Sequence, residues 1–260
     1  MTDNRPIAFF DSGVGGLTVF AKVKKLLPNE NYLYFGDTKN MPYGEKSEKQ
    51  LIEFADRIFK FFEKQNAKAV VMACNTTSAI TYEKLKDNYN FKIYPIIQTV
   101  CSTLAGLDGV KSLGVIATPA TINSHAYSKG IAKYNKDMKV YELAAPNWVR
   151  IVEEHRIHQP QSIEQIKEIL EVMKENNPDK IVLACTHYPY LLDVLKKFLP
   201  KDKYIDPAIF FAQSIKNDLE KNNLLGKEPT YEKFYVSSDP ENFKIASELF
   251  YKLDILPELV

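Results

Sequence analysis

Eight short runs rich in β-branched and aromatic residues alternate along this chain with longer amphipathic stretches, and this alternation constrains the fold most. The runs are Ile7 to Phe10, Tyr32 to Phe35, Val70 to Ala73, Lys92 to Tyr94, Leu113 to Ile116, Val140 to Leu143, Ile181 to Ala184 and Phe234 to Val236. Their length and composition predict strands. Between them, Ser47-Glu48-Lys49-Gln50 reads as a helix capping box. Leu51, Phe54, Ala55, Ile58 and Phe62 then recur at helical spacing. Ser162 to Gln165 reads as a second box, within a stretch where Ile163, Ile166, Ile169, Leu170 and Met173 carry the apolar face. Helices between strands demand crossover connections, so the fold class predicted is α/β with mostly parallel sheet.

A length of 260 residues suits one large α/β domain or two smaller lobes and buries a sizeable core without disulfides or metals. There is no low-complexity segment and no Gly/Ser linker. A boundary therefore falls in short connections, near Pro95 to Gln98 and near Pro200 to Pro207. That gives a first lobe of residues 1–97 plus 208–260 and a second of 98–207.

The chain echoes itself. AVVMACNTTS (69–78) and KIVLACTHYP (180–189) each run an apolar strand into a cysteine and then turn polar. Upstream, AFFDSGVGG (8–16) ends its strand on Asp11-Ser12 and GVIATPATI (114–122) ends on Thr118-Pro119, which pairs Asp11 with Thr118 in the echo. Ligands of parallel α/β sheets sit beyond the carboxyl ends of the strands. If two such edges face each other, one cleft carries Cys74 on one wall and Cys185 on the other.

Bulk properties exclude several roles. A formal charge of +1 creates no one-signed field, so nucleic acid and anionic membrane are poor partners. The opening MTDNRPIAFF lacks the pattern of a secretory signal, and no apolar run approaches the roughly 20 residues that span a bilayer. Three cysteines are too few for a disulfide framework. The expectation is a cytoplasmic, reduced protein.

Paired thiols on opposite walls suit inversion of a stereocentre: one thiolate removes an α-proton and the opposite thiol returns one. A helix N-terminus or a nearby cation lowers a thiol pKa from about 8.5 toward neutrality, where proton transfer in both directions is efficient. His187, two residues beyond Cys185, and Asp11 on the other side could pass protons. Backbone N–H groups of Asn75, Thr76 and Thr186, expected at helix N-termini, could hold a carboxylate. Ser12 and Thr76 add hydroxyls without bulk.

Five segments, FFDSGVGGLTV (9–19), YFGDTKNMPYGEKS (34–47), MACNTTSA (72–79), GVIATPATI (114–122) and LACTHYPYLL (183–192), together resemble the glutamate racemase family. FYVSSDPENF (234–243) is similar to that family's last strand. The resemblance implies two pseudo-symmetric α/β lobes with the active site between them, no cofactor or metal, and a homodimer making D-glutamate for the cell wall. It implies that Cys185 acts on the L isomer and Cys74 on the D isomer, assisted by Asp11 and His187. Substrate contacts carry over to Asp11, Ser12, Tyr43, Gly44, Asn75, Thr76, Thr186 and His187, and Thr118 and Thr121 match a hydroxyl-bearing loop. Glu153 matches a glutamate that supports the histidine, with Glu154 the alternative in register. The chain departs from the pattern at Trp148 and Arg150, in a run more often Val-Pro-Leu-Val-Glu, and at Ser238, where glycine is common.

Other candidates carry blander readings. Cys101 reads as a small buried hydrophobe. His125, His155 and His158 read as surface or helix residues. Asp37 is either a turn former or a support for the site, and Tyr43-Gly44 taken alone could be only a turn. The Lys and Glu of residues 167–180 read as a solvated face.

Overall fold

A computed structural model describes residues 2–228 and 231–260. All eight expected strands are present: β1 (Ile7–Asp11), β2 (Tyr32–Gly36), β3 (Ala69–Met72), β4 (Lys92–Pro95), β5 (Ser112–Ala117), β6 (Lys139–Ala144), β7 (Lys180–Ala184) and β9 (Glu232–Val236). Two-residue strands β8 (Tyr204–Ile205) and β10 (Glu258–Leu259) were not foreseen, being too short to carry a periodic signal. The strands form two sheets, ordered β10-β9-β2-β1-β3-β4 and β6-β5-β7-β8. Every pairing is parallel.

Both faces of each sheet are covered, as parallel sheets require. Alternation along β1 sends Ile7 and Phe9 to a core shared with the second sheet and Ala8 and Phe10 to the outer side. The shared core also holds Leu113, Val115 and Val182, with helices Leu17–Leu26, Ile96–Ala105 and Pro207–Lys221 packed between the sheets. A second core backs the first sheet through helix Glu48–Lys64, and a third backs the other through helix Pro160–Glu175. The halves are thus joined by continuous apolar packing.

The first capping box forms: Ser47 accepts the N–H of Gln50, and the Gln50 side chain returns to Ser47 N–H. The second does not. Pro160 opens that helix and Gln159 is its cap, so Ser162 lies inside the first turn, buried, with no partner for its hydroxyl among the described residues. Proline at the first helical position, where a missing N–H costs nothing, starts the helix earlier than the serine signal suggested.

Register also adjusts the echo. Phe10 lies opposite Met72, two residues before Cys74, and Ile116 lies opposite Leu183, two residues before Cys185. Asp11 is therefore level with Ala117, and Ser12 with Thr118. Structural equivalence runs hydroxyl to hydroxyl, one residue away from the pairing of Asp11 with Thr118.

Candidate active site

The carboxyl ends of β1, β3, β5 and β7 converge on a cleft of about 710 Å³, its opening included. Both Cys74 and Cys185 line it, as do Ser12, Tyr43, Gly44, Asn75, Thr76, Thr118, Thr186 and His187. Asp11, Thr121 and Glu153 stand just behind and reach the cleft through hydrogen bonds. All three cysteines are free thiols.

Cys74 caps the eleven-residue helix Asn75–Leu85. The small polar residues after it knit that helix to the rest of the molecule. Asn75 Oδ1 accepts from the Tyr127 hydroxyl at 2.7 Å. Thr76 Oγ1 meets Thr118 Oγ1 at 2.9 Å and Thr121 Oγ1 at 3.3 Å, and those two lie 3.0 Å apart. This hydroxyl triangle crosses between the halves at the cleft wall. Ser78 bonds Gln98 at 2.8 Å. Asn75 Nδ2 is buried with no partner among the described residues.

Burial, then the negative charge of Asp11, push the Cys74 thiol up to about 12, while the backbone N–H of Thr77 works the other way. A helix terminus contributes about 0.3–2 kcal/mol, which loses here to desolvation. The Cys74 thiol therefore does not shift toward neutrality as the sequence suggested; it is held protonated.

The Cys185 side is built differently. A 3₁₀ turn, Tyr188–Leu191, follows with His187 as its cap and runs into the four-residue helix Leu192–Leu195, so Thr186 is not at an α-helix N-terminus. Its hydroxyl instead lies 3.5 Å from Asp11 Oδ2 and 3.4 Å from His187 Nδ1. Polar character is supplied by side chains: His187 Nδ1 lies 3.7 Å from Cys185 Sγ and Nε2 lies 2.5 Å from Glu153 Oε1. Burial disfavours charge on this ring, yet the hydrogen bonds to Cys185 and Glu153 outweigh it and raise the His187 pKa well above its ordinary value. Glu154, the alternative, faces outward and pairs with Arg156 at 2.6 Å.

Asp11 is fully buried and accepts the N–H of Gly13 at 3.1 Å. Burial raises its pKa to about 6, against the lowering effects of His187 and the N–H groups of Gly13 and Gly16. The glycines of DSGVGG are there for close approach. A Cβ on Gly15 would come within 2.5 Å of the His187 ring, and one on Gly16 within 2.4 Å of Asp11 Cβ.

Asp37 supports the site. Its buried carboxylate accepts the Tyr43 hydroxyl at 2.5 Å, Arg57 Nη2 at 2.9 Å and Asn40 Nδ2 at 2.9 Å. Tyr43 thus spends its phenol on Asp37, and the turn Tyr43–Glu45 presents ring, backbone and Gly44 to the cleft. Trp148 is buried edge-on against Tyr188, and Arg150 reaches Glu45. Thr38 Oγ1 donates to the carbonyl of Ser238.

The bland readings match the structure. Cys101 is buried where Gly130 closes on its sulfur, and burial pushes its thiol up to about 12. His125, His155 and His158 are exposed and off the cleft. Lys167 and Lys174 pair with Glu164 and Glu171 on the surface. Among the described residues no group of three or more His, Cys, Asp or Glu is arranged to hold a metal, and no helix is long and apolar enough to cross a membrane. Sequence reasoning missed Arg57, Tyr127 and Glu45. Arg57 follows from the motif's Asp37 needing a cation; Tyr127 lies 52 residues from Asn75 and no local signal joins them.

Comparison with known proteins agrees with this geometry. Residues 16–215 match the family model described as Asp/Glu/Hydantoin racemase. A glutamate racemase of Thermoanaerobacter pseudethanolicus is 39% identical over 95% of this chain and 93% of its own length. The crystal structure of a Francisella tularensis glutamate racemase in complex with D-glutamate superposes with a TM-score of 0.91 at 35% identity, covering 99% of this chain and 98% of that one. A glutamate racemase isoform of Bacillus anthracis superposes at a TM-score of 0.91 with 28% identity, covering 99% and 97%. Matched over nearly its whole length, with two thiols at equivalent strand ends, this chain belongs to the Asp/Glu/Hydantoin racemase family, in its glutamate racemase group.

Proposed function

We propose that this protein interconverts L- and D-glutamate by proton transfer between two thiols, with no cofactor. The observation that carries the reading is a single cleft with one thiol on each wall, at equivalent positions of two parallel sheets. In the L-to-D direction the Cys185 thiolate, beside protonated His187, takes the α-proton. A carbanion-like intermediate forms, and the Cys74 thiol delivers its proton to the opposite face. The next turnover needs the proton passed back from Cys185 to Cys74 through solvent. Asp11 and His187 stand beside the two thiols as proton carriers, and Glu153 holds His187 in orientation.

Asn75 Nδ2, the hydroxyls of Ser12, Thr76, Thr118 and Thr186, and the amides that open helix Asn75–Leu85 supply donors for the substrate's carboxylates. Such preorganised donors stabilise charge that develops in the transition state. Residues 1–97 with 208–260, and residues 98–207, act as the two walls. The D-glutamate supplies peptidoglycan in the cytoplasm, and the protein works as a homodimer.

The test is chiral detection of product from L-glutamate and, separately, L-aspartate, with no cofactor added. Racemisation of glutamate is expected, and loss of it in both Cys74→Ala and Cys185→Ala. Preference for aspartate overturns the substrate assignment, and full activity in either variant overturns the two-thiol mechanism.

A further inference from the structure

Arg150 and Glu45 stand on opposite walls of the cleft and meet. Arg150 Nη2 lies 2.6 Å from Glu45 Oε1, and their side chains are 55% and 58% exposed. Both line the cleft, so a half-exposed pair places the contact at the rim. Each end is anchored inward. Glu45 closes the turn whose Tyr43 is fixed to Asp37, and Asp37 is fixed to Arg57. Arg150 lies on helix Trp148–Glu153, whose last residue holds His187, which in turn meets Cys185. Among the described residues Arg150 is the one Lys or Arg on the cleft wall.

We propose that the Glu45–Arg150 ion pair is a latch across the cleft mouth, acting on the racemisation proposed above through substrate entry and release. With the pair made, the rim is closed and the Glu153 helix is tied to the opposite wall. With the pair parted, the mouth opens for substrate to enter or leave. An ion pair this exposed is weak and screened by salt, so it biases opening without locking the cleft. That is the strength a gate opened in every turnover needs.

The molecule carries its own reporter. Trp148 is its single tryptophan, buried to 1% exposure two residues from Arg150 on the same short helix. The experiment compares wild type, Arg150→Gln, Glu45→Gln and the charge swap Glu45→Arg/Arg150→Glu. It reads acrylamide quenching of Trp148 and KM and kcat for both isomers, at low and high salt. In both single variants quenching rises and KM rises roughly two- to fivefold with kcat held, the range expected for an exposed pair. Salt raises KM in wild type but not in the single variants, and the swap restores wild-type values. If Arg150 merely attracted the substrate anion, Glu45→Gln would lower KM, which overturns the latch. Wild-type quenching and KM in both single variants, or a swap that restores neither, overturns it too. If wild type turns over no glutamate the racemase reading fails, and the quenching series still decides the latch by itself.

Discussion

Asp11 and Cys74 are titratable groups buried at one wall of the cleft, and burial pushes both of them toward their neutral forms. Cys74 is held protonated and His187 is held as a cation beside Cys185, which is the arrangement the proposed mechanism uses for the L isomer. The Asp11 carboxyl, raised from 3.8 to about 6, makes a measurable contribution to stability. The native state binds this proton more tightly than the unfolded chain. The Asp11 contribution is therefore full below pH about 4 and is lost as pH rises through about 6, by roughly 3 kcal/mol. Asp11→Asn keeps an oxygen for Gly13 N–H and removes that penalty. Urea unfolding from pH about 4 to about 7 is expected to show the variant gaining on wild type by about this amount, with racemisation reduced. A difference that stays flat with pH would contradict the assignment. At this scale the motifs exposed the two thiols that share the cleft, because thiols ending apolar strands are unusual enough to stand out. The direction of the Cys74 shift was not legible, since it depends on how completely the fold covers the sulfur, which packs in the core behind the first sheet.

Elements were legible where periodicity spans several residues. The eight strands and helix Glu48–Lys64, with Leu51, Ala55, Ile58 and Phe62 buried, follow the pattern read from the chain. Helix starts were legible only where one signal stood alone. At residues 159–162 proline and serine compete, proline prevails, and Ser162 is buried with no hydroxyl partner among the described residues. Ser162→Ala removes a buried hydroxyl and improves helix propensity. It is expected to stabilise by about 1 kcal/mol and raise Tm by roughly 2–4 °C. Calorimetry showing a lower Tm would mean that the hydroxyl is satisfied. The one-residue slip of the echo has a similar origin: sequence aligns the ends of apolar runs, whereas the ladder aligns hydrogen bonds.

Across the whole molecule, the site occupies the carboxyl edge of the sheets and a buried ion pair secures the opposite edge. Lys68, just before β3, meets Glu30 Oε2 at 2.5 Å with both side chains fully buried, and donates at 2.7 Å to the carbonyls of Asp3 and Leu224. Glu30 also accepts the N–H of Gly226 at 2.7 Å. The segments at Asp3, Glu30 and Leu224 to Gly226 are thus stapled to Lys68. Lys68→Met strands a buried carboxylate and is expected to cost about 3–5 kcal/mol. Adding Glu30→Gln should recover part of that in denaturant titrations, with kcat/KM unchanged in folded protein because the pair is remote from the cleft. Full stability in the single variant would contradict this account. No sequence signal announced the pair, since charges 38 residues apart are joined only by the fold. The central claim concerns the cleft itself, where two thiols approach one carbon from opposite faces. Its most direct measurement is racemisation of L-glutamate in deuterated water, with both isomers analysed at low conversion. The account predicts deuterium at Cα of the D-glutamate formed and none in the L-glutamate recovered, because each thiol exchanges with solvent and serves one face. A product that keeps the substrate's own proton, or label entering recovered substrate as fast as product, would contradict it.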